Sequence, residues 1–135
     1  MTCFIDTSAF YAVLDADDRN HAAADAQWAD LLRQGAEMVT TNYVMVETQA
    51  LIQHRLGLAA VCLFREDVYP LLHLVWVDRE LHDCGQGALL SAQRRQLSLV
   101  DCVSFESMRR HGIRQAFAFD PHFAEQGFLV LPQGP

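Results

Sequence analysis

Short apolar runs alternate with longer amphipathic stretches along this chain, and the alternation predicts its fold. Polar and apolar residues do not alternate within these runs, as they would in a sheet with one solvent-exposed face. The runs therefore indicate strands that are buried on both faces. We predict five strands, at Thr2–Ile5, Glu37–Thr40, Leu74–Val77, Ala116–Phe119 and Phe128–Leu131. Such strands separated by helices are typical of a three-layer α/β/α fold with a central five-stranded parallel sheet.

The stretches between the strands carry apolar residues at helical spacing. Asn20 is expected to cap a helix that runs to about Arg33, and Asn42 a helix that runs through Arg55. Gly57 provides the stop for the second of these. Further helices are predicted over residues 8–14, 58–69, 80–95 and 101–111.

Length and composition predict one domain over residues 1–135. A chain of 135 residues that is 51% apolar can bury a sufficient core without disulfides or a structural metal. No basic leader and no long apolar segment is present, so we expect a cytoplasmic protein that does not enter a membrane. The four cysteines are scattered among apolar neighbours and are expected to be reduced and buried, at Cys3, Cys62, Cys84 and Cys102.

The charge pattern narrows the chemistry. The net charge is −7, which argues against a broad basic surface for nucleic acid, so any contact with phosphates must be local. All ten basic residues are arginines. The absence of lysine excludes P-loop nucleotide hydrolysis and Schiff-base chemistry, which both need one.

Two aspartates stand where predicted strands end. Asp6 follows the first strand and Asp120 follows the fourth. In parallel sheets, ligands bind at the carboxyl ends of the strands, so these side chains are candidates for a site. The alternative is that each aspartate caps the next helix or turn.

Glu47 and Asp101 stand in apolar helical contexts. Val44 and Leu51 place Glu47 on the stripe that should face the core, where a carboxylate needs a cationic partner. That partner is either an arginine or a metal ion, because the chain has no lysine. The structural alternative is an arginine pair or a glutamate that lies at the edge of the stripe. Asp101 shares a helix face with Ser104, and helix capping is again the alternative.

The four carboxylates together could form a metal site. If the fold gathers Asp6, Glu47, Asp101 and Asp120, their mutual repulsion requires a divalent cation. An all-oxygen site of this kind suits Mg²⁺ or Mn²⁺ and the hydrolysis of phosphate esters.

Four segments in order resemble the acidic motifs of PIN-domain nucleases. They are FIDTSAF at 4–10, NYVMVET at 42–48, LVDCVSF at 99–105 and AFDPHF at 118–123. The resemblance spans nearly the whole chain, and its length and spacing are similar to those of VapC toxins from bacterial toxin–antitoxin pairs. It implies a five-stranded parallel sheet between helices, in agreement with the prediction from the apolar runs.

The resemblance also implies a function and a site. It implies a metal-dependent endoribonuclease in which Asp6, Asp101 and Asp120 bind the metal and Glu47 binds it directly or through water. It further implies a homodimer and an antitoxin partner. Supporting hydroxyl groups are implied near the site, at Thr7 or Ser8 and at Ser104.

Contacts with RNA phosphates must come from arginines, because they are the only cations that the chain offers. The candidates lie in the second half of the chain, at Arg94, Arg95, Arg109, Arg110 and Arg114. Ordinary surface charge on helices is the alternative for each of them.

Two other functions fit parts of the sequence. An aspartyl-phosphate phosphatase would use Asp6 as its nucleophile, but the haloacid-dehalogenase pattern needs a second aspartate where Ser8 stands, and a lysine. A degenerate PIN-like interaction module would show no carboxylate-dependent metal uptake, and the presence of all four acids speaks against it.

Overall fold

A computed structural model describes residues 1–134 and contains the predicted three-layer α/β/α fold. All five strands are parallel, and helices cover the sheet. The strands are β1 Thr2–Ile5, β2 Glu37–Thr41, β3 Leu72–Val75, β4 Gln115–Phe117 and β5 Leu129–Leu131. The helices are α1 Thr7–Leu14, α2 His21–Arg33, α3 Asn42–Leu56, α4 Leu58–Leu63, α5 Arg79–Ala92, α6 Leu99–Arg110 and α7 His122–Glu125.

The strand order is β3-β2-β1-β4-β5, so the chain builds the sheet outward from β1 in one direction and then in the other. The order therefore reverses between β1 and β4, where the backbone N–H of Asp6 donates to the carbonyl of Phe117 at 3.0 Å. Loops that leave a parallel sheet in opposite directions at such a point open a crevice at the carboxyl edge.

The predicted third strand is wrong by two residues at each end. The sheet uses Leu72–Val75 instead of the more apolar 74–77 run. β3 is an edge strand, and His73 in its middle is exposed while its neighbours are half-buried. An edge strand is not buried on both faces, so the rule that selects continuous apolar runs does not apply to it.

The helix predicted over 58–69 is broken. It consists of α4, a π-helical turn at Phe64–Val68 and a 3₁₀ turn at Tyr69–Leu71 that contains Pro70. Phe64 and Val68 are buried while the residues between them are exposed. The wider π turn keeps these two side chains in the core.

Several helix ends also differ from the predictions. The side chain of Asn20 makes no capping hydrogen bond, and Asn42 is the first residue of α3, whose cap is Thr41. α5 stops at Ala92 because Gln93 adopts a left-handed conformation with φ 53°. The short helix α7 was not predicted, since four residues give no readable periodicity.

The core is one cluster around the sheet, rich in phenylalanine. All four cysteines were predicted to be buried, and Cys3 and Cys102 are. The prediction is wrong for Cys62 and Cys84, which are exposed on α4 and α5. All four are free thiols. Within residues 1–134, no helix is both long enough and apolar enough to cross a bilayer.

Candidate active site

Asp6 lies at the carboxyl end of β1 and is almost completely buried, at 4% exposure. Its Oδ2 accepts hydrogen bonds from the backbone N–H of Ser8 at 3.1 Å and from the Ser8 hydroxyl at 2.6 Å. Asp6 is thus the N-cap of α1, as the alternative interpretation held. The pKa of Asp6 is raised to about 7. Burial is the largest cause, the hydrogen bonds from Ser8 oppose it, and the charges of Asp101 and Asp120 add to the rise.

Ser8 connects Asp6 with the other side of the crevice. While its hydroxyl donates to Asp6, its oxygen accepts the backbone N–H of Phe119 at 2.9 Å. Phe119 immediately precedes Asp120, so one side chain fixes the position of two acidic segments.

Asp101 enters the same crevice from the first turn of α6. Ser98 caps that helix because its hydroxyl oxygen accepts the backbone N–H of Asp101. In turn, Oδ2 of Asp101 accepts the backbone N–H of Ser98 at 3.2 Å, and the two hydrogen bonds form a capping box. Burial raises the pKa of Asp101, and the charges of Asp120 and Glu47 raise it further. The hydrogen bonds with Ser98 act in the opposite direction and lower it. The spacing Ser-x-x-Asp at residues 98–101 is a sequence signal for this box that the sequence analysis missed.

Asp120 completes the group of aspartates on the other side of the crevice. Its side chain is 27% exposed, and its Oδ1 accepts the N–H of His122 at 2.8 Å. His122 Nε2 stands 3.7 Å from the same oxygen, and its Nδ1 is 2.6 Å from Glu125. The β4 strand ends at Phe117 instead of Phe119, so Asp120 lies on the following loop rather than directly at the strand end.

Glu47 is less buried than its place in the sequence predicts. The buried stripe of α3 runs through Val44, Thr48 and Ile52, and Glu47 lies half-buried at its edge. The expectation of a fully core-facing carboxylate was therefore wrong. Within residues 1–134, no arginine forms an ion pair with Glu47, and its charge acts on Asp101.

The three aspartates share one arrangement. Each uses a single carboxylate oxygen to accept a backbone N–H from a residue two or three positions away. Within residues 1–134, no hydrogen-bond donor reaches the second oxygen of Asp6, Asp101 or Asp120. Capping and a site role are therefore compatible, because the cap orients each carboxylate and leaves one oxygen available.

The carboxylates are neighbours but not a tight cluster. Among the residues that the structure describes, no three His, Cys, Asp or Glu side chains stand close enough to enclose one metal ion. Like charges repel each other, so a closer approach of these carboxylates would require a cation between them.

The other two predicted hydroxyls bond elsewhere. Thr7 accepts a hydrogen bond from the hydroxyl of Thr48 at 3.0 Å, which ties α1 to α3. The buried Ser104 hydroxyl donates to the carbonyl of Val100 at 2.9 Å, inside its own helix. Of the three residues, only Ser8 bonds directly to one of the four acids.

The candidate arginines are divided between two places. Arg94 and Arg95 lie between α5 and α6, shortly before Asp101, and Arg94 contacts Glu125 at 3.3 Å. Arg109 instead bonds Gln126 at 2.7 Å and lies over the ring of Phe128, just before β5 begins. That is the amino edge of the sheet, so Arg109 does not stand beside the acids. The two remaining candidates also lie away from the acids. Arg110 is the last residue of α6 and is 4.0 Å from Glu80, and Arg114 directly precedes β4.

Comparison with known proteins identifies the family. The family profile described as PIN domain matches residues 3–129, which includes all four acids. The chain belongs to the PIN-domain family. A curated relative, the 23S rRNA-specific endonuclease VapC20 of Mycobacterium tuberculosis, is 33% identical over 129 residues, which are 95% of this chain and 96% of that protein.

Solved structures superimpose on nearly the whole chain. The crystal structure of Mycobacterium tuberculosis VapC20, described as a Sarcin-Ricin loop cleaving toxin, has a TM-score of 0.84 at 32% identity and covers 96% of this chain and 97% of its own. FitAcB from Neisseria gonorrhoeae has a TM-score of 0.70 at 11% identity, with 96% of each chain covered. VapBC2 from Rickettsia felis, bound to a DNA fragment from its promoter, has a TM-score of 0.70 at 8% identity and covers 96% of this chain and 97% of its own. At this low identity, the last two support the fold alone.

Proposed function

We propose that this PIN-domain protein is an endoribonuclease of the toxin–antitoxin type that depends on Mg²⁺ or Mn²⁺. The observation that carries the proposal is the arrangement of Asp6, Asp101 and Asp120, each anchored by one oxygen and free at the other. The similarity to VapC20 over nearly the whole of both chains supports the nuclease function over the phosphatase alternative.

The donor set fits a hard divalent cation. Asp6, Asp101 and Asp120 would hold the ion through their free oxygens, and Glu47 would bind it directly or through water. When bound, such an ion activates water, orients the scissile phosphate and stabilises the charge that builds on its oxygens. A cation would also offset the burial and the like-charge repulsion that together raise the pKa of Asp6 and Asp101.

The protein's own groups prepare this chemistry before substrate arrives. Ser8 fixes the carboxylate of Asp6 and the loop of Asp120, and the capping box fixes Asp101. Arg95 precedes Asp101, is exposed and is suited to contact the RNA phosphates beside the crevice, and Arg94 would join it by leaving its contact with Glu125. Preorganised groups need little rearrangement in the transition state, which is why their placement matters for rate.

The substrate that we propose is a ribosomal RNA loop. VapC20 is named for cleavage of 23S rRNA and of the sarcin–ricin loop, and the present chain covers 96% of its length. An unpaired loop also suits an acidic protein, because exposed bases can be held without broad phosphate contacts. This substrate places the proposed activity in the cytoplasm.

The partners that we propose are a second copy of the chain and a small antitoxin. An open groove of about 440 Å³ lies between α3 and the α4–π segment, and Met45, Val46 and Phe64 are among its lining residues. Val46 is exposed and adjacent to Glu47, so a segment that filled the groove would end beside the acids. Sedimentation of the purified protein would test for the homodimer.

The function is tested by incubating purified protein with ribosomal RNA in Mg²⁺, in Mn²⁺ and in EDTA, with Asp6→Asn and Asp101→Asn beside it. Asp25→Asn is a matched control, because Asp25 is exposed on α2, outside the site. We expect metal-dependent cleavage that is lost in the two site variants and kept in the control. Failure to cleave, together with no metal uptake in a calorimetric titration, would leave the interaction module as the better description.

A further inference from the structure

Trp76 is a large aromatic side chain that the fold leaves in water. It is 68% exposed and follows β3 directly, at the carboxyl edge of the sheet. The other tryptophan, Trp28, is partly buried and packs against the core. Within residues 1–134, most of the Trp76 side chain therefore makes no packing contact.

The loop that carries Trp76 is held at three points. The N–H of Val77 donates to the side chain of Asn42 at 2.7 Å, and Asp78 caps α5 by accepting the N–H of Leu81 at 2.9 Å. On the first turn of α5, His82 Nδ1 lies 2.5 Å from the hydroxyl of Tyr43, and the two rings meet edge to face. Trp76 is thus an exposed ring on an immobilised backbone, which loses little conformational entropy when a ligand stacks on it.

The strand register places Trp76 near the acids. Thr41 of β2 pairs with Val75 of β3, and Phe4 of β1 pairs with Val39 of β2, so Asp6 is level with Thr41 and with Val75. Trp76 is therefore one residue beyond the level of Asp6 and two strands away, about 10 Å at the usual strand spacing. Along a stacked nucleic-acid strand, that distance is about three nucleotides.

The charge of the protein favours binding through bases. The net charge is −7, and several arginines already contact carboxylates of the same chain. These contacts join Arg33 to Asp30, Arg94 to Glu125, Arg109 to Glu106 and Arg110 to Glu80. Four of the ten arginines are therefore paired with acids, and in a protein of net charge −7 stacking on an exposed aromatic ring is a further source of affinity for RNA.

We propose that Trp76 is a stacking platform for an unpaired base of the RNA substrate, within a few nucleotides of the cleaved bond. The proposal rests on the ribonuclease function proposed above and adds a subsite to it. Tyr43 and His82 act as positioning residues, because their contact holds α5 against α3 beside the Trp76 loop.

A binding experiment tests the platform without any cleavage. In a Trp28→Phe, Asp101→Asn background, Trp76 is the only tryptophan and the enzyme is expected to be inactive. Titration with a single-stranded oligoribonucleotide and with an RNA hairpin, in EDTA, should quench the tryptophan fluorescence as bases stack on the ring. Absence of quenching with both RNAs would overturn the proposal.

Cleavage kinetics in the otherwise native chain give an independent test. Trp76→Ala should raise KM by roughly 5- to 150-fold, the loss expected for one base–aromatic stack, and change kcat much less. Trp76→Phe keeps an aromatic face and should restore most of the affinity. Leu90→Ala, which truncates another exposed apolar residue (70%), serves as the control and should cleave like the wild type.

The outcomes separate this proposal from the proposed function. If the wild type does not cleave RNA, the nuclease function fails, while the quenching experiment still decides whether RNA meets Trp76. If the wild type cleaves and Trp76→Ala has an unchanged KM, the platform is refuted. If Trp76→Ala instead turns a sedimenting dimer into a monomer, Trp76 belongs to an interface between copies, and the proposal is overturned.

Discussion

Replacing Asp6 by asparagine should make the metal-free protein more stable and abolish its activity. Asparagine has the same shape, and its carbonyl oxygen can accept both hydrogen bonds that Ser8 donates to the native carboxylate. The cap of α1 is thereby kept. The substitution removes the negative charge, which in the native chain is buried and close to Asp101 and Asp120.

The size and sign of the effect follow from the pKa of Asp6. Its pKa is about 7 in the folded protein against 3.8 in the unfolded chain, which corresponds to a penalty on the order of 4 kcal/mol when the group is fully ionised. Below about pH 4 the carboxyl is protonated in both states and the penalty is absent. Between pH 4 and 7 the unfolded chain releases its proton first, so the stability of the wild type falls as pH rises.

Urea denaturation in EDTA at pH 5 and at pH 8 measures this difference. The gain from Asp6→Asn should be about 1–2 kcal/mol at pH 5 and about 4 kcal/mol at pH 8, whereas Asp25→Asn, on the exposed face of α2, should show no such gain. Adding Mg²⁺ at pH 8 should then stabilise the wild type and not the Asp6→Asn variant, because a bound ligand stabilises only the state that binds it. An Asp6→Asn variant that is no more stable than the wild type at pH 8 would refute the argument that this carboxylate is held in a desolvating, acid-rich crevice.

Three further substitutions test the supports of the site. Ser8→Ala removes the link between Asp6 and the Asp120 loop, so it should lower kcat about tenfold or more and lower the free energy of unfolding by about 1 kcal/mol. Ser8→Thr keeps the hydroxyl and should retain both the activity and the stability. A kcat of Ser8→Ala equal to that of the wild type would contradict the link. Gly85→Ala places a Cβ 2.4 Å from Val103 Cγ2, so α5 and α6 must separate, and thermal unfolding should show a loss of about 1–3 kcal/mol that Val103→Ala partly reverses. Thr48→Val removes the buried bond to Thr7 and should cost about 1 kcal/mol in urea, with full stability counting against that bond.

The acidic positions could be predicted because their physical causes are local. A strand end followed by aspartate, or a serine three residues before an aspartate, is visible in a few letters of sequence. At Asp6, Asp101 and Asp120, the sequence analysis treated capping and a site role as alternatives. The structure combines them, since each carboxylate has two oxygens and the cap uses only one.

The features that escaped prediction depend on tertiary environment. Whether the strand is 72–75 or 74–77 is decided by its place at the edge of the sheet, which single-sequence patterns do not report. The exposed Cys62 and Cys84, the half-buried Glu47 and the π turn after α4 have the same origin, because helical spacing indicates a face and not what covers it. Trp76 was missed for the converse reason: its apolar character placed it inside a predicted strand.

The order of the strands also determines when during synthesis the enzyme becomes active. β1 and its partner β4 are far apart in sequence, so residues 6 and 120 meet only after the whole segment between them has been made. A nascent chain that ends before residue 115 lacks the strand that closes the crevice, and with it one of the three anchored aspartates. The proposed active site therefore cannot assemble on the shorter nascent chain, and the same contacts of high sequence separation make closure of the site a late event in folding.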